Sequence, residues 1–221
     1  MSQAQWTSVD RYFSERLVPH DPALEAALKA SANAGLPPIN VSPTQGRLLQ
    51  LLARLLGARK ILEIGTLGGY STIWLARALP EDGHLVTLEA VAKHARVAEA
   101  NVANAGLSDI VEIRLGSALD TLPKLAEDGK GPFDLTFIDA DKERIPEYFR
   151  WALELSRPGS IVIVDNVVRG GAVADDTTTD PDVKGIRRFL ELVENEPRVS
   201  GTAVQTVGSK GWDGFALVLV N

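Results

Sequence analysis

The chain has 221 residues, of which 45% are hydrophobic, and its formal net charge is −6 at pH 7. This length and apolar content are enough to bury one core, so we expect a single domain over residues 1–221. The acidic charge argues against binding of duplex nucleic acid, because neutralising phosphates requires a basic face. The absence of cysteine excludes disulfides and a thiolate nucleophile, and it fits a reducing compartment.

The beginning of the chain carries no targeting signal. Residues 1–17 are polar and charged, without the apolar stretch and the small-residue cleavage pattern of a signal peptide. The sequence also contains no uncharged apolar run of about 18 residues, the length that crosses a bilayer. We therefore expect a soluble cytoplasmic protein without a membrane partner.

The N-terminal part of the chain predicts helices. Two short helices come first, at residues 10–16 and 22–32. A third starts where Ser42 can cap, Pro43 can take the first helical position and Gln45 can close a capping box. Its apolar residues recur at helical spacing as far as Gly57, which can adopt the left-handed conformation that ends a helix. We interpret residues 1–42 as a helical cap over the main domain.

Beyond the third helix, strand patterns alternate with helical patterns, which predicts a parallel sheet with helices on both faces. The predicted strands are residues 60–65, 84–89, 110–114, 134–139 and 160–165, and the helices between them are 71–79, 91–105, 118–127 and 145–155. A helix at 181–193 then precedes strands at 202–207 and 215–220, which are separated by a loop at 208–214. These last two strands predict an antiparallel hairpin. The expected fold is α/β and Rossmann-like, a seven-stranded, mostly parallel sheet with an antiparallel C-terminal edge hairpin.

Residues 170–182 are rich in Gly, Asp and Thr and show no periodicity. The segment is too polar for a core and long for a mere connection. We interpret it as a candidate substrate lid, and the alternative is a mobile surface loop without a role.

A glycine-rich turn follows the first predicted strand, in residues 63–71 (EIGTLGGYS). Open α/β sheets bind nucleotide-like ligands at this turn. A dinucleotide fingerprint needs further glycines where this chain has Leu67 and Tyr70, which weakens that interpretation. Glu63 would repel a pyrophosphate, whereas it suits the sulfonium or ammonium charge of S-adenosylmethionine (SAM). Glu89 ends the second strand, where a carboxylate can accept both ribose hydroxyls.

Other candidate cofactor contacts lie in the same loops. They are Gly65, Thr66 and Gly69 in the turn, Ser71 at the start of the following helix, and Ser117 and Ala118 after the third strand, beside the expected adenine. The alternative for the glycines is a tight turn that serves packing only. For Ser117 and Ala118 the alternative is an ordinary turn.

Two apolar strands end in side chains that carry oxygen. Asp139 ends one of them, and Asp165 with Asn166 ends the next. The C-terminal ends of parallel strands lie at one edge of a sheet, so these oxygens can converge. Two carboxylates and an amide favour Mg²⁺, with Mn²⁺ or Ca²⁺ possible, over zinc or copper. For either aspartate alone, a role as helix cap or loop former is the better explanation.

Lys142 follows Asp139 by three residues, at the start of a predicted helix. A cation there opposes the helix dipole, so its position indicates chemistry rather than stability. It could accept a proton from an acceptor hydroxyl or stabilise the resulting oxyanion. The alternative is a solvated lysine. Asp141 is interpreted as a cap or a cofactor contact and is left out of the metal site.

The chain resembles the cation-dependent O-methyltransferases related to catechol and caffeoyl-coenzyme A O-methyltransferases, particularly their bacterial members. The similarity covers about residues 42–221 and rests on residues 62–71 and 138–142 and on Asp165 with Asn166. It implies a class I methyltransferase that forms a homodimer, with Lys142 as the base. The implied SAM contacts are Val41, Glu63, Gly65, Ser71, Glu89 and Ala118, with Asp139 also counted among them, and the implied cation ligands are Asp139, Asp165 and Asn166.

This sequence departs from the plant members of that family. Ile145 stands where they have Tyr after the Asp-Lys pair, and residues 167–169 (VVR) replace their Asn-Thr-Leu-Trp context. The acidic segment at 175–182 does not suit a coenzyme A ester. The first hypothesis for the acceptor, in line with the resemblance, is a catechol-like small molecule, an aromatic ring with two vicinal hydroxyls that chelate the cation. The alternatives are a hydroxylated tRNA base as acceptor and a non-catalytic nucleoside-binding module.

Overall fold

The computed structural model describes residues 2–221, and Met1, with which the predicted domain and its cap begin, lies outside the described residues. The helices are α1 (Gln3–Leu17), α2 (Pro22–Asn33), α3 (Pro43–Leu56), α4 (Tyr70–Ala76), α5 (Ala92–Asn104), α6 (Ala118–Glu127), α7 (Ile145–Glu154) and α8 (Pro181–Asn195). The strands are β1 (Lys60–Ile64), β2 (His84–Glu89), β3 (Val111–Leu115), β4 (Phe133–Ile138), β5 (Ser156–Asp165), β6 (Val199–Gly208) and β7 (Gly211–Val220). Two short 3-10 helices span Lys142–Arg144 and Arg169–Ala174.

The chain forms two compact units. The first unit is Arg11–Thr121, and the second unit comprises the residues up to Asp10 together with Leu122–Asn221. The seven strands form one sheet in the order β3-β2-β1-β4-β5-β7-β6. The expectation of a single domain with a cap over residues 1–42 stays a prediction.

In the first unit, helix caps and parallel pairing define the local structure. The Ser42 hydroxyl accepts a hydrogen bond from the Gln45 amide at 3.2 Å, and Gly57 ends α3 with φ 65°. Both predicted signals are thus confirmed. Strands β1 and β2 pair in parallel, as do β2 and β3, and the residues of β1 and β2 are almost all buried. Burial along almost the whole strand is typical of a parallel sheet that is covered on both faces.

In the second unit, a parallel pair leads into the predicted antiparallel hairpin. Strand β5 pairs in parallel with β4 and antiparallel with β7, and β6 pairs antiparallel with β7. The predicted fold class, a mostly parallel seven-stranded sheet with antiparallel C-terminal strands, is confirmed. None of the helices within residues 2–221 is long and apolar enough to cross a membrane.

Several predicted boundaries were wrong. Helix α1 runs from Gln3, well before the predicted start at residue 10. None of its residues is buried, although Trp6, Val9, Phe13 and Leu17 recur at helical spacing. The predicted loop at 208–214 is a two-residue turn, because Gly208 pairs with Gly211. Gly211 has φ 99°, a conformation that glycine adopts without strain in tight hairpins. The segment at 170–182 is irregular only in part, since it contains most of the second 3-10 helix.

Candidate functional site

The glycine-rich turn of the first unit has the conformation that its sequence predicts. Gly65 and Gly69 have φ values of 103° and 80°, which other residues rarely adopt. The Gly65 amide donates to the Leu88 carbonyl at 3.0 Å, and the Gly69 amide donates to the Thr66 carbonyl at 2.8 Å. The turn therefore joins the end of β1 to the end of β2 and leads directly into α4.

Glu63 lies at the centre of a buried network of hydroxyl groups. Its carboxylate accepts hydrogen bonds from Ser71 Oγ at 2.6 Å, from Thr87 Oγ1 at 2.7 Å and from Thr72 Oγ1. The hydroxyl of Thr87 is also 2.6 Å from that of Thr66. Glu63 is fully buried, whereas Ser71 is only partly so. The three donors offset the cost of burying a carboxylate, and Ser71 is the member of the network that a ligand can reach.

Glu89 connects the glycine turn to the loop after β2. One carboxylate oxygen accepts from the Leu67 amide at 2.8 Å, and the other accepts from the Val91 amide at 2.9 Å. His94 Nδ1 lies 3.4 Å from the second oxygen. A carboxylate has about four acceptor positions, so these contacts leave capacity for the predicted ribose hydroxyls.

The structure brings most of the predicted cofactor residues together within the first unit. Hydrogen bonds connect Glu63, Gly65, Thr66, Gly69, Ser71 and Glu89, either directly or through one neighbouring residue. The Gly116 amide donates to the Glu89 carbonyl at 2.8 Å, which places Ser117 and Ala118 directly after this network. Val41 is separate from it and lies buried before α3, where its carbonyl accepts from Asn40. Contact of these residues with a cofactor stays a prediction.

In the second unit, the predicted cation ligands follow two neighbouring parallel strands. Ile138 of β4 pairs with Val164 of β5, so Asp139 and Asp165 occupy equivalent positions at the ends of these strands. Adjacent strands lie about 4.8 Å apart, and residues in register point to the same side of a sheet. The Asp165 carboxylate is buried and accepts from the Asn166 amide at 2.9 Å. Asn166 has φ 59°, in the left-handed region.

Lys142 is buried rather than solvated. Only 6% of its surface is exposed, and Nζ donates to Asp139 Oδ1 at 2.8 Å. The alternative of a solvated lysine is therefore wrong, and the residue lies in a 3-10 helix instead of at the start of α7. Helix α8 packs closely against it, because a Cβ atom on Gly185 would lie 2.1 Å from the Lys142 carbonyl oxygen. The backbone of Lys142 thus has little freedom.

Asp141 binds a residue that the sequence analysis did not consider. Tyr148 OH donates to Asp141 Oδ1 at 2.6 Å. Burial raises the pKa of Tyr148, and its hydrogen bond to Asp141 raises it further. Asp141 thus connects to α7 through Tyr148, and its exclusion from the metal site stays a prediction.

The donor set at Asp139, Asp165 and Asn166 fits a hard divalent cation. It contains only oxygen ligands, two carboxylates and one amide, and the carboxylate of Asp139 also accepts from Lys142. Within residues 2–221 no group of three or more His, Cys, Asp or Glu side chains is arranged to hold a metal ion. That finding concerns a different combination of residues, since this set has two carboxylates and one amide. The assignment of a cation here stays a prediction.

Sequence reasoning missed several polar residues that support these two clusters. They are Thr72, Thr87, His94, Tyr148 and Asp213. Thr87 had a usable signal, because it is a polar residue within the apolar strand β2. The other contacts depend on which elements pack together, which local spacing does not reveal.

Known proteins resemble this chain over nearly its whole length. The O-methyltransferase family model matches residues 14–219. The catechol O-methyltransferase of Niastella koreensis is 53% identical over 220 residues and covers 100% of both sequences. The crystal structure of the O-methyltransferase from Bacillus cereus in complex with SAH is 58% identical, with a TM-score of 0.98 and full coverage of both chains. The structure of TomG from Streptomyces achromogenes, involved in tomaymycin synthesis and bound to SAM, is 55% identical with a TM-score of 0.97, covering 100% of this chain and 99% of that one.

These matches confirm the resemblance described from the motifs and the prediction of an enzyme. They contradict the alternative of a non-catalytic nucleoside-binding module. The chain belongs to the O-methyltransferase family.

Proposed function

We propose that this protein transfers the methyl group of SAM to one hydroxyl of a catechol-like small molecule, with the help of a divalent cation. The observation that carries the proposal is the placement of Asp139 and Asp165 at equivalent ends of paired parallel strands, with Asn166 next in the chain. Oxygen ligands in that arrangement suit Mg²⁺, and Mn²⁺ or Ca²⁺ could replace it.

We assign the binding of SAM, the methyl donor, to the first unit. The SAM complex of TomG and the SAH complex of the Bacillus cereus enzyme, both more than 50% identical to this chain, support SAM as the cofactor. SAH is what SAM becomes when its methyl group has been transferred. The buried charge of Glu63 attracts a cationic ligand, and Ser71, which bonds to it, provides a reachable polar contact. Glu89 fixes the glycine turn and retains capacity to accept ribose hydroxyls.

We assign the binding of the methyl acceptor to the oxygen ligands of the second unit. The catechol O-methyltransferase of Niastella koreensis, 53% identical over its full length, supports a vicinal diol as acceptor. A free phenol has a pKa of about 10 and is mostly protonated at neutral pH. When bound, a divalent cation supplies a Lewis acid that favours the phenolate over the phenol. Asp139, Asp165 and Asn166 would hold it there.

The proposed reaction balances without a further reactant. A bond forms between the acceptor oxygen and the methyl carbon while the bond between that carbon and sulfur breaks. The electron pair of the broken bond stays on sulfur, and the sulfonium becomes a neutral thioether. The phenolic proton leaves to Lys142 or to solvent. Holding the two reactants in line can contribute up to about 7–11 kcal/mol in well-oriented systems.

Two roles remain open for Lys142. Its Nζ atom donates to Asp139 in the structure, so as an ammonium group it would stabilise the negative charge of the acceptor oxygen. It can accept the phenolic proton only after losing one of its own. Its burial and its fixed backbone suit either role, because both require a defined position.

The decisive experiment measures methyl transfer and donor binding in parallel. Labelled SAM is incubated with a panel of catechols, flavonoids and hydroxylated nucleosides, with Mg²⁺ or with excess EDTA, and SAM affinity is measured by calorimetry. We expect Asp139→Ala and EDTA each to abolish transfer to catechols while much of the SAM affinity survives. Asp82→Ala removes an exposed carboxylate that pairs with Arg59 and serves as the control with normal activity. Full turnover in excess EDTA would refute cation dependence, and methylation of nucleosides alone would refute the catechol acceptor.

Other expectations are kept as proposals. Residues 170–182 form a lid over the acceptor, the protein is a homodimer, and it acts in the cytoplasm on small molecules rather than on nucleic acid. Sedimentation analysis of the purified chain tests the homodimer directly.

A further inference from the structure

The loop that follows Asn166 has an unusual backbone. Four residues between positions 166 and 171 have positive φ values, and two of them, Asn166 at 59° and Arg169 at 54°, are not glycines. Such conformations are sparsely populated for side chains with a Cβ atom, so they persist only where the surroundings hold them. The structure must therefore contain contacts that hold this loop.

Asp213 and Gly214 of β7 supply these contacts. The amide of Val167 donates to the Gly214 carbonyl at 3.0 Å. The next two amides, of Val168 and Arg169, both donate to Asp213 Oδ1, at 3.0 and 3.1 Å. The amide of Gly214 also donates to this oxygen, at 3.0 Å. Three consecutive amides after Asn166 are thus held by two consecutive residues of another strand.

The residue type at each of the two positions has a physical reason. A Cβ atom on Gly214 would lie 2.2 Å from the Val204 carbonyl oxygen and 2.8 Å from Val168 Cγ2, so only glycine permits the close approach of the loop. At position 213, one oxygen accepts from three backbone N–H groups, and a carboxylate is the acceptor best suited to several donors. The pairing of β5 with β7 ends with Asp165 and Phe215, directly beside Gly214. Asp165 is therefore fixed by the sheet, whereas Asn166 depends on the loop.

We propose that Asp213 is a positioning residue for the cation site. It holds the loop in the shape that directs the Asn166 amide oxygen toward the cation bound by Asp139 and Asp165. The inference rests on the proposed function, because it presumes that Asn166 is a cation ligand. Residues that orient metal ligands without contacting the metal strongly affect the affinity for the metal, and their loss weakens metal binding about 10- to 100-fold.

Besides the bond from the Asn166 amide to Asp165, two further contacts hold the later part of the loop. Arg169 pairs with Asp182 at 3.2 Å, and Trp212 lies so close to Gly171 that a Cβ atom there would be 2.8 Å from its ring. Neither contact involves an amide next to Asn166. Substitution of Asp213 therefore tests the part of the loop that carries the ligand.

The experiment measures Mn²⁺ binding to the full chain by electron paramagnetic resonance, with SAM affinity and the melting temperature recorded for each variant. We expect Asp213→Ala to raise the Kd for Mn²⁺ about 10- to 100-fold. Asp213→Asn should recover most of the affinity, because its amide oxygen can accept the same N–H groups. SAM affinity should change less than about twofold, since the predicted donor contacts of the first unit are untouched. Glu196→Ala is the matched control, because that carboxylate also accepts from a backbone amide, that of Arg198, and lies outside the proposed sites.

The outcomes separate the two proposals. If the unsubstituted protein binds no Mn²⁺, the cation part of the proposed function fails, and the role of Asp213 fails with it. If the unsubstituted protein binds Mn²⁺ and Asp213→Ala binds it equally well, the positioning role is overturned while the proposed function stands. Should Asp213→Ala fail to fold, Asp213→Glu replaces it, because it keeps the charge but displaces the oxygen. Affinity equal to that of the unsubstituted protein in Asp213→Glu would also overturn the inference.

Discussion

The buried network around Glu63 allows a quantitative test of how the first unit is stabilised. In Thr87→Val the shape of the side chain is kept, but the hydroxyl that donates to Glu63 at 2.7 Å is lost. The same change leaves the Thr66 hydroxyl without its neighbour at 2.6 Å. Both losses occur where Thr87 is fully buried, so water cannot replace the missing group.

The expected magnitude follows from the groups involved. A hydrogen bond to a charged group contributes about 1.5–3 kcal/mol, and a buried polar group left without a partner costs about 1–3 kcal/mol. The added methyl group offsets about 0.8 kcal/mol of this. We expect the free energy of unfolding to fall by about 2–5 kcal/mol, which shifts the urea midpoint by about 1–2.5 M for a slope of about 2 kcal/mol/M. We also expect weaker SAM binding, because Glu63 holds Ser71.

Thr121→Val provides a matched control in the same unit. The Thr121 hydroxyl donates to the neutral Ser117 carbonyl at 2.8 Å, and that carbonyl keeps its bond from the Thr121 amide. Its loss should cost no more than about 1.5 kcal/mol. Urea unfolding followed by circular dichroism compares the two variants. If Thr87→Val costs no more than Thr121→Val, Glu63 does not depend on its hydroxyl donors, and the reasoning is refuted.

Three further predictions concern the second unit. Lys142→Met should reduce kcat strongly with little change in the KM of the acceptor. The pH–rate profile of Lys142→Arg then distinguishes the two roles of the lysine, because activity close to that of the unsubstituted enzyme excludes proton acceptance. Because burial raises the pKa of Tyr148 above its ordinary value, its contribution to stability is complete below about pH 10 and falls as the pH rises further, by up to about 1.4 kcal/mol per pH unit. Urea unfolding at pH 9 and 11 should show that the free energy of unfolding falls less between these pH values in Tyr148→Phe than in the unsubstituted protein. An equal fall in both proteins would contradict this. Gly185→Ala would place Cβ 2.1 Å from the Lys142 carbonyl oxygen and should lower stability by about 1–3 kcal/mol, so an unchanged melting temperature would contradict the packing described.

Features that depend on local chemistry could be predicted from the sequence. Ser42 and Gly57 mark the ends of α3 because capping and left-handed glycine act within a few residues. Asp139 and Asp165 could be placed at neighbouring strand ends because alternating strands and helices imply a parallel sheet. The apolar runs before them gave the strand assignments, and these were correct to within a few residues.

Features that depend on packing between distant elements could not be predicted. The dipole argument pointed to Lys142, but the residue does not begin α7, and its burial depends on the approach of α8, which Gly185 permits. Gly214 was interpreted as part of a loop, although it lies within β7 and is glycine because another backbone approaches closely. A glycine in a sequence indicates that a loop conformation or a close backbone approach is possible, but it does not distinguish between the two. Asp213 had no local signal, because its partners are amides far earlier in the chain.

The attachment of α1 to the hairpin has a consequence for biosynthesis. Gln3 Nε2 donates to the Gly208 carbonyl at 2.9 Å, and the Ser209 amide donates to Asp10 at 2.7 Å, so the beginning of the chain is tied to a turn made about 200 residues later. A nascent polypeptide emerging from the ribosome cannot form these contacts until residues 208 and 209 have been translated. The same delay applies to the loop after Asn166, whose shape requires β7. We therefore expect the proposed cation ligands to acquire their final arrangement only after β7 has emerged from the ribosome.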